Sequence, residues 1–161
     1  MNLAYKYIKD ITTLLKDGQA LRQATDQLAA HFKAAKPDLV VGAESRGFLL
    51  GAPMAYSMGC GLVVVRKPAK LPAAVAKVTY QLEYGQDSLE IHLDAIKPGQ
   101  KVLIVDDLLA TGGTISATAE LVKKLQGEIV GFAFLIELDD LKGRQKLIPY
   151  DVYSLVHYEG D

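Results

Sequence analysis

The run from Val102 to Thr114 constrains the fold more than any other stretch of this chain. Residues 102–105 are continuously apolar, the pattern of a short parallel strand covered on both faces. Asp106 and Asp107 stand at its carboxyl end. Thr111, Gly112, Gly113 and Thr114 follow, and then Ile115, Leu121, Val122 and Leu125 recur at helical spacing. A strand that passes through a small-residue loop into a helix is a step of an α/β fold.

The rest of the chain repeats that step. Leu21, Ala24, Leu28 and Phe32 recur at helical spacing ahead of Pro37 and an apolar strand over 39–43. A helix begins near Gly47, and strands are expected over 62–65, near 129–136 and over 152–156. Alternation of this kind predicts a mostly parallel twisted sheet flanked by helices, in one domain over 1–161. Between residues 70 and 97 the period changes. There 78–82 and 89–92 alternate as two exposed strands joined around Tyr84 and Gly85, a flexible hairpin.

The loop after Asp107 has the makings of a phosphate cradle. Glycines let the backbone approach, successive N–H groups and hydroxyls donate, and the helix N-terminus adds about half a positive charge. A Walker A loop would place Lys after the second glycine, whereas Thr114 follows Gly113 directly. Adjacent carboxylates repel a polyphosphate but accept hydrogen bonds from vicinal hydroxyls, so a ribose 5-phosphate moiety is the expected ligand. The bland alternative is a solvated strand end followed by a turn.

A second anion site is expected at Glu44-Ser45-Arg46-Gly47, again between a strand and a helix. Ser45, Arg46 and the N–H groups near Gly47 supply a hydroxyl, a guanidinium fork and backbone donors, as a diphosphate requires. The alternative is a capped helix with a surface arginine. Arg66, Lys67 and Lys70 cluster at another strand end, and by themselves they read equally well as a solvated charge run.

Composition sets limits on partners. A net charge of −1 and a pI near 6.3 give no overall attraction to nucleic acid or anionic membrane, so anion sites must be local. Cys60 is the single cysteine, which fits a reducing cytoplasm, and no apolar run approaches a membrane span. His31, His92 and His157 are too scattered for a zinc motif and read as surface or strand histidines; no dedicated metal ligands are expected.

The Val102–Thr114 run resembles the phosphoribosyl pyrophosphate (PRPP) signature of the type I phosphoribosyltransferases, in wording similar to members that act on adenine. Three more stretches agree in order: Glu44-Ser45-Arg46-Gly47-Phe48, Arg66 to Pro72, and Leu82-Glu83-Tyr84-Gly85 with Leu89-Glu90-Ile91 behind it. The resemblance covers residues 10–158. It implies transfer of the 5-phosphoribosyl group from PRPP to N9 of adenine, giving AMP and pyrophosphate. The type I fold it implies carries a mobile β-hairpin lid and a short N-terminal hood over residues 1–20.

By the same resemblance, Asp106, Asp107, Ala110, Thr111, Gly112, Gly113 and Thr114 hold the ribose 5-phosphate. Ser45, Arg46, Arg66, Lys67 and Lys70 hold the diphosphate, the first segment sometimes through a cis peptide, and Arg66 often reaches across a homodimer interface. Glu83 is the catalytic residue, Tyr84 belongs to the lid, and Glu90 is a rival glutamate read as a solvated strand residue. Mg²⁺ is implied, held mainly by PRPP, pyrophosphate and water. Tyr7 and Lys9 are the base contacts, with Lys9 where these relatives carry arginine, and Ala69 stands where they carry glycine. Ala110 replaces the aspartate of 6-oxopurine enzymes, which favours adenine. Another purine base, or a PRPP-sensing regulator without turnover, are the alternative readings.

Overall fold

The structure, a computed structural model, describes residues 10–81 and 85–159. Short-range aspartate hydrogen bonds mark the starts of the first two described helices. Asp10 accepts the Thr12 N–H at 2.9 Å just before α1 (Thr12–Lys16). Asp17 accepts the N–H groups of Gln19 and Ala20, both at 3.0 Å, and so caps α2 (Gly18–Phe32). Ala24, Leu28 and Phe32 form the buried stripe of α2.

The remaining elements are β1 (Leu39–Ala43), α3 (Arg46–Met58), β2 (Gly61–Val65), β3 (Val75–Gln81), β4 (Gln86–His92), β5 (Lys101–Leu109), α4 (Gly113–Lys124), β6 (Glu128–Leu138) and β7 (Val152–Tyr158). Five strands form one sheet in the order β2-β1-β5-β6-β7, every pair parallel. Strands β3 and β4 form a separate antiparallel pair.

Strict alternation on the central strands produces two cores. Val40, Leu103, Val105, Ala133 and Leu135 pack with Leu28, Phe32, Leu50 and Met54 of α2 and α3. Val41, Ile104, Phe132 and Phe134 point the other way, toward Ile115, Leu121 and Val122 of α4. The same second core contains Val78, Leu89 and Ile91 of the β3–β4 hairpin. The expectation of two exposed strands is therefore corrected: the hairpin's apolar face shares the cover of the sheet with α4.

Strand order determines where a ligand can bind. From β1 the chain moves outward to β2, whereas β5 lies on the other side of β1 and leads on to β6 and β7. The carboxyl ends of β1 and β5 thus flank a topological switch point, where loops diverge and leave a crevice. Strand β5 is also longer than its apolar run predicts. It continues through Asp106 and Asp107 to Leu109, because β6 keeps pairing beside it, with Asp106 opposite Phe134 and Leu108 opposite Ile136.

Candidate active site

A cleft of about 1090 Å³ opens at this switch point. It is lined by Glu44, Ser45 and Arg46 from the end of β1, by residues 106–115, and by Gln81, Leu141 and Lys146. Ser45, Arg46, Asp106, Asp107, Ala110, Thr111, Gly112, Gly113 and Thr114, all named from the sequence, therefore line one space. Gln81, Leu141 and Lys146 were missed, since no local pattern marks them.

Two helix N-termini face the cleft. Gly112 precedes α4 at φ +78°, a left-handed conformation costly for residues with a Cβ, and no side chain caps that helix. Ser45 precedes α3 without a side-chain capping hydrogen bond, which removes the alternative of a simple capped helix. The Glu44–Ser45 peptide is cis. Gly47 permits the close approach of α3 to β5: a Cβ there would stand 3.0 Å from the Val105 carbonyl oxygen and 3.2 Å from Asp106 Oδ1. First-turn amides left without side-chain acceptors make both termini receptive to anions.

The two aspartates differ. Asp106 Oδ1 accepts the Asp107 N–H at 2.9 Å. Desolvation, and then the charge of Asp107, push the Asp106 carboxyl from 3.8 up to about 8. Asp107 is 3 % exposed, and its Oδ2 lies 2.6 Å from Arg46 Nε. That contact is off the axis of a hydrogen bond, so Oδ2 is a buried acceptor without a hydrogen-bond partner among the described residues. Such an oxygen retains its capacity for a ligand hydroxyl.

The second cation cluster takes a different place. Arg66 donates to Glu44 through Nε (3.3 Å) and through the guanidinium NH2 nitrogen (3.2 Å). The Lys67 N–H donates to the same carboxylate at 2.8 Å. These contacts, the Lys67 N–H foremost, hold the Glu44 carboxyl below the usual carboxylate range. Lys67 Nζ pairs with Asp87 of the hairpin. Arg66, Lys67 and Lys70 do not line the cleft of their own chain.

Glu90 is corrected from a solvated strand residue to a buried one, 9 % exposed. Its carboxylate accepts the Ala69 N–H at 3.1 Å, and its backbone exchanges two hydrogen bonds with Arg66, at 2.9 and 2.8 Å. It therefore shapes the cation loop. Ala69 has φ +63°, a left-handed conformation that favours glycine over residues with a Cβ.

At the far rim Arg144 Nε donates to Glu137 at 2.9 Å, and Ser154 Oγ donates to the same carboxylate at 2.6 Å. This pair, buried only on its Glu137 side, ties the segment bearing Leu141 and Lys146 to the end of β6. His157 reaches Asp139 at 2.9 Å beside Glu137, and His31 reaches Asp151 at 2.8 Å while stacking on Tyr153. The expected catalytic Glu83, lid Tyr84 and base contacts Tyr7 and Lys9 lie outside the described residues.

Comparison with known proteins identifies the family of the chain. The family model for the phosphoribosyl transferase domain matches residues 9–159. An adenine phosphoribosyltransferase of Desulfitobacterium hafniense is 59% identical over 150 residues, covering 93% of this chain and 87% of its own. The crystal structure of adenine phosphoribosyltransferase from Thermoanaerobacter pseudethanolicus superposes with a TM-score of 0.91 at 54% identity, covering 93% of this chain and 87% of that one. The Saccharomyces cerevisiae enzyme, solved with an imino-altritol bisphosphate and adenine, gives 0.86 at 41% identity, covering 91% and 85%. With a family model matching nearly the whole chain and relatives this similar along most of their length, the chain belongs to the phosphoribosyltransferase family, in its adenine phosphoribosyltransferase branch.

Proposed function

We propose that this protein transfers the 5-phosphoribosyl group of PRPP to N9 of adenine, releasing pyrophosphate and forming AMP, a purine-salvage reaction. The observation that carries this reading is the buried, hydrogen-bond-free Oδ2 of Asp107 between two uncapped helix N-termini. Asp106 and Asp107 would accept from the ribose hydroxyls. Thr111, Thr114 and the first-turn amides of α4 would hold the 5-phosphate, while Ser45, Arg46 and the amides of α3 would hold the diphosphate.

The bond from C1 to the diphosphate oxygen breaks as the bond to N9 forms, with oxocarbenium character at C1. Glu83 takes up the proton that the imidazole ring of the base releases. Tyr84 is assigned to a lid that would exclude water from the activated C1. Tyr7 and Lys9 contact the base.

Asp106 and Asp107 offer hard oxygen donors, which fits Mg²⁺ carried mainly by substrate oxygens and water. When bound, the metal neutralises charge developing on the leaving diphosphate.

Arg66, Lys67 and Lys70 are read as completing the diphosphate site of a second copy. Leu49 and Tyr56 lie seven residues apart on α3, 47% and 91% exposed, and Leu62 on the edge strand β2 is 37% exposed, next to that cation loop. An apolar face of this kind suits a homodimer. No helix among the described residues is long and apolar enough to cross a membrane. The lone cysteine fits a cytoplasmic setting.

Pyrophosphate release from PRPP, measured with adenine, hypoxanthine, guanine and xanthine, tests the reading. Adenine is expected to support the fastest turnover. Preference for another base would reassign the substrate, and release with none would favour a PRPP-binding regulator.

A further inference from the structure

The hairpin and the expected 5-phosphate cradle are joined by a chain of polar groups whose direction can be worked out. Tyr80, near the end of β3, places its hydroxyl 3.3 Å from Asp87 Oδ2 and 3.3 Å from Thr114 Oγ1. Lys67 Nζ pairs with the same Asp87 oxygen, and the other oxygen accepts the Ser88 N–H at 2.8 Å. The Tyr80 ring also packs beside the cradle, since a Cβ at Gly113 would meet its Cδ2 at 3.7 Å.

A tyrosine hydroxyl has one proton. Asp87 is a carboxylate paired with an ammonium and can only accept, so Tyr80 donates to it; the opposite orientation would set lone pairs against lone pairs. The bond to Thr114 must then run the other way, from the Thr114 hydroxyl to the Tyr80 oxygen. In the free protein the Thr114 proton is therefore turned toward the hairpin and its lone pairs are left for the cradle.

We propose that Tyr80 is a positioning residue that competes with the 5-phosphate for the Thr114 proton, so that filling the cradle releases one tie between α4 and the β3–β4 hairpin. The inference rests on the reading of Gly112 to Thr114 as a phosphate cradle. It makes the hairpin's attachment depend on cradle occupancy through a defined hydroxyl, and it assigns Asp87 the part of fixing the direction of the chain.

Calorimetry with ribose 5-phosphate on the wild type, Tyr80→Phe, Thr114→Val and the double variant tests it. Removing the competing acceptor should tighten binding about threefold to tenfold in Tyr80→Phe, the scale of one neutral hydrogen bond. Thr114→Val should weaken binding, and in its background Tyr80→Phe should give no gain. A role for Tyr80 in packing alone predicts no tightening. If Thr114→Val weakens binding while Tyr80→Phe leaves it unchanged or weaker, the competition is refuted and the cradle stands. If Thr114→Val binds as the wild type does, Thr114 does not serve the cradle and the proposal falls with that reading.

Discussion

Arg46 Nε stands 2.6 Å from Asp107 Oδ2, joining the first turn of α3 to the end of β5 across the switch point. The two partners are unequal: the Asp107 side chain is 4% exposed and that of Arg46 51%. A buried carboxylate is thus balanced by a guanidinium that still reaches solvent, which on the proposed reading leaves the cation to a diphosphate and the acid to ribose hydroxyls.

Replacing Asp107 by Asn keeps the shape and removes the charge. Affinity for PRPP should fall about tenfold or more, the scale of a charge-assisted hydrogen bond. Calorimetry on the folded variant checks this, and unchanged affinity would take Asp107 out of the site.

Glu83→Gln separates binding from chemistry. Turnover with adenine at saturating PRPP should fall roughly 100-fold while PRPP affinity changes little, as for a lost general acid or base. Glu90→Gln retains an acceptor for the Ala69 N–H, so its turnover should stay near that of the wild type. The reverse ranking in steady-state rates would move the catalytic role to Glu90.

Ala69→Gly should stabilise the protein, against the usual cost of adding a glycine. At φ +63° the alanine is strained, and its relief, less the extra freedom of the unfolded chain, should leave about 0.5–1 kcal/mol. Thermal unfolding should shift upward by roughly 2 °C; a downward shift would contradict the left-handed conformation.

Asp106 makes ligand-free stability depend on pH. Its carboxyl titrates near 3.8 when unfolded and about 8 when folded. Between those values the folded state binds more protons, so this group's contribution to stability falls as pH rises. Asp106→Asn should flatten that slope, so that its melting temperature gains on the wild type from pH 5 to pH 8. Parallel pH profiles for the two proteins would show that Asp106 ionises normally.

Tyr56→Glu places a charge on the exposed apolar face of α3. Light scattering should find a dimer for the wild type and a monomer for the variant, with activity lost if Arg66 and Lys67 serve the neighbouring site. A wild type that is a fully active monomer would end the shared-site reading.

The α/β alternation, the central strands, the two helix N-termini and the residues lining the cleft beside them were legible in the sequence because each depends on neighbours in the chain. Apolar runs, glycine positions and hydroxyl spacing are local signals. Other features needed the tertiary structure. Nothing near Asp107 in sequence indicates that Arg46 will meet it; the order β2-β1-β5 brings them together. Glu90 read as solvated because its neighbours alternate, yet it is buried where the hairpin folds against the cation loop. Leu141 and Lys146 reach the cleft through the Glu137–Arg144 pair, a link between a strand and a later segment. Lys67 meets Asp87 of the hairpin, a partner that no local pattern indicates. Periodicity reports which face of an element is apolar. Which elements meet depends on strand order and on the pairing of buried charges, and these arise only when distant parts of the chain pack together.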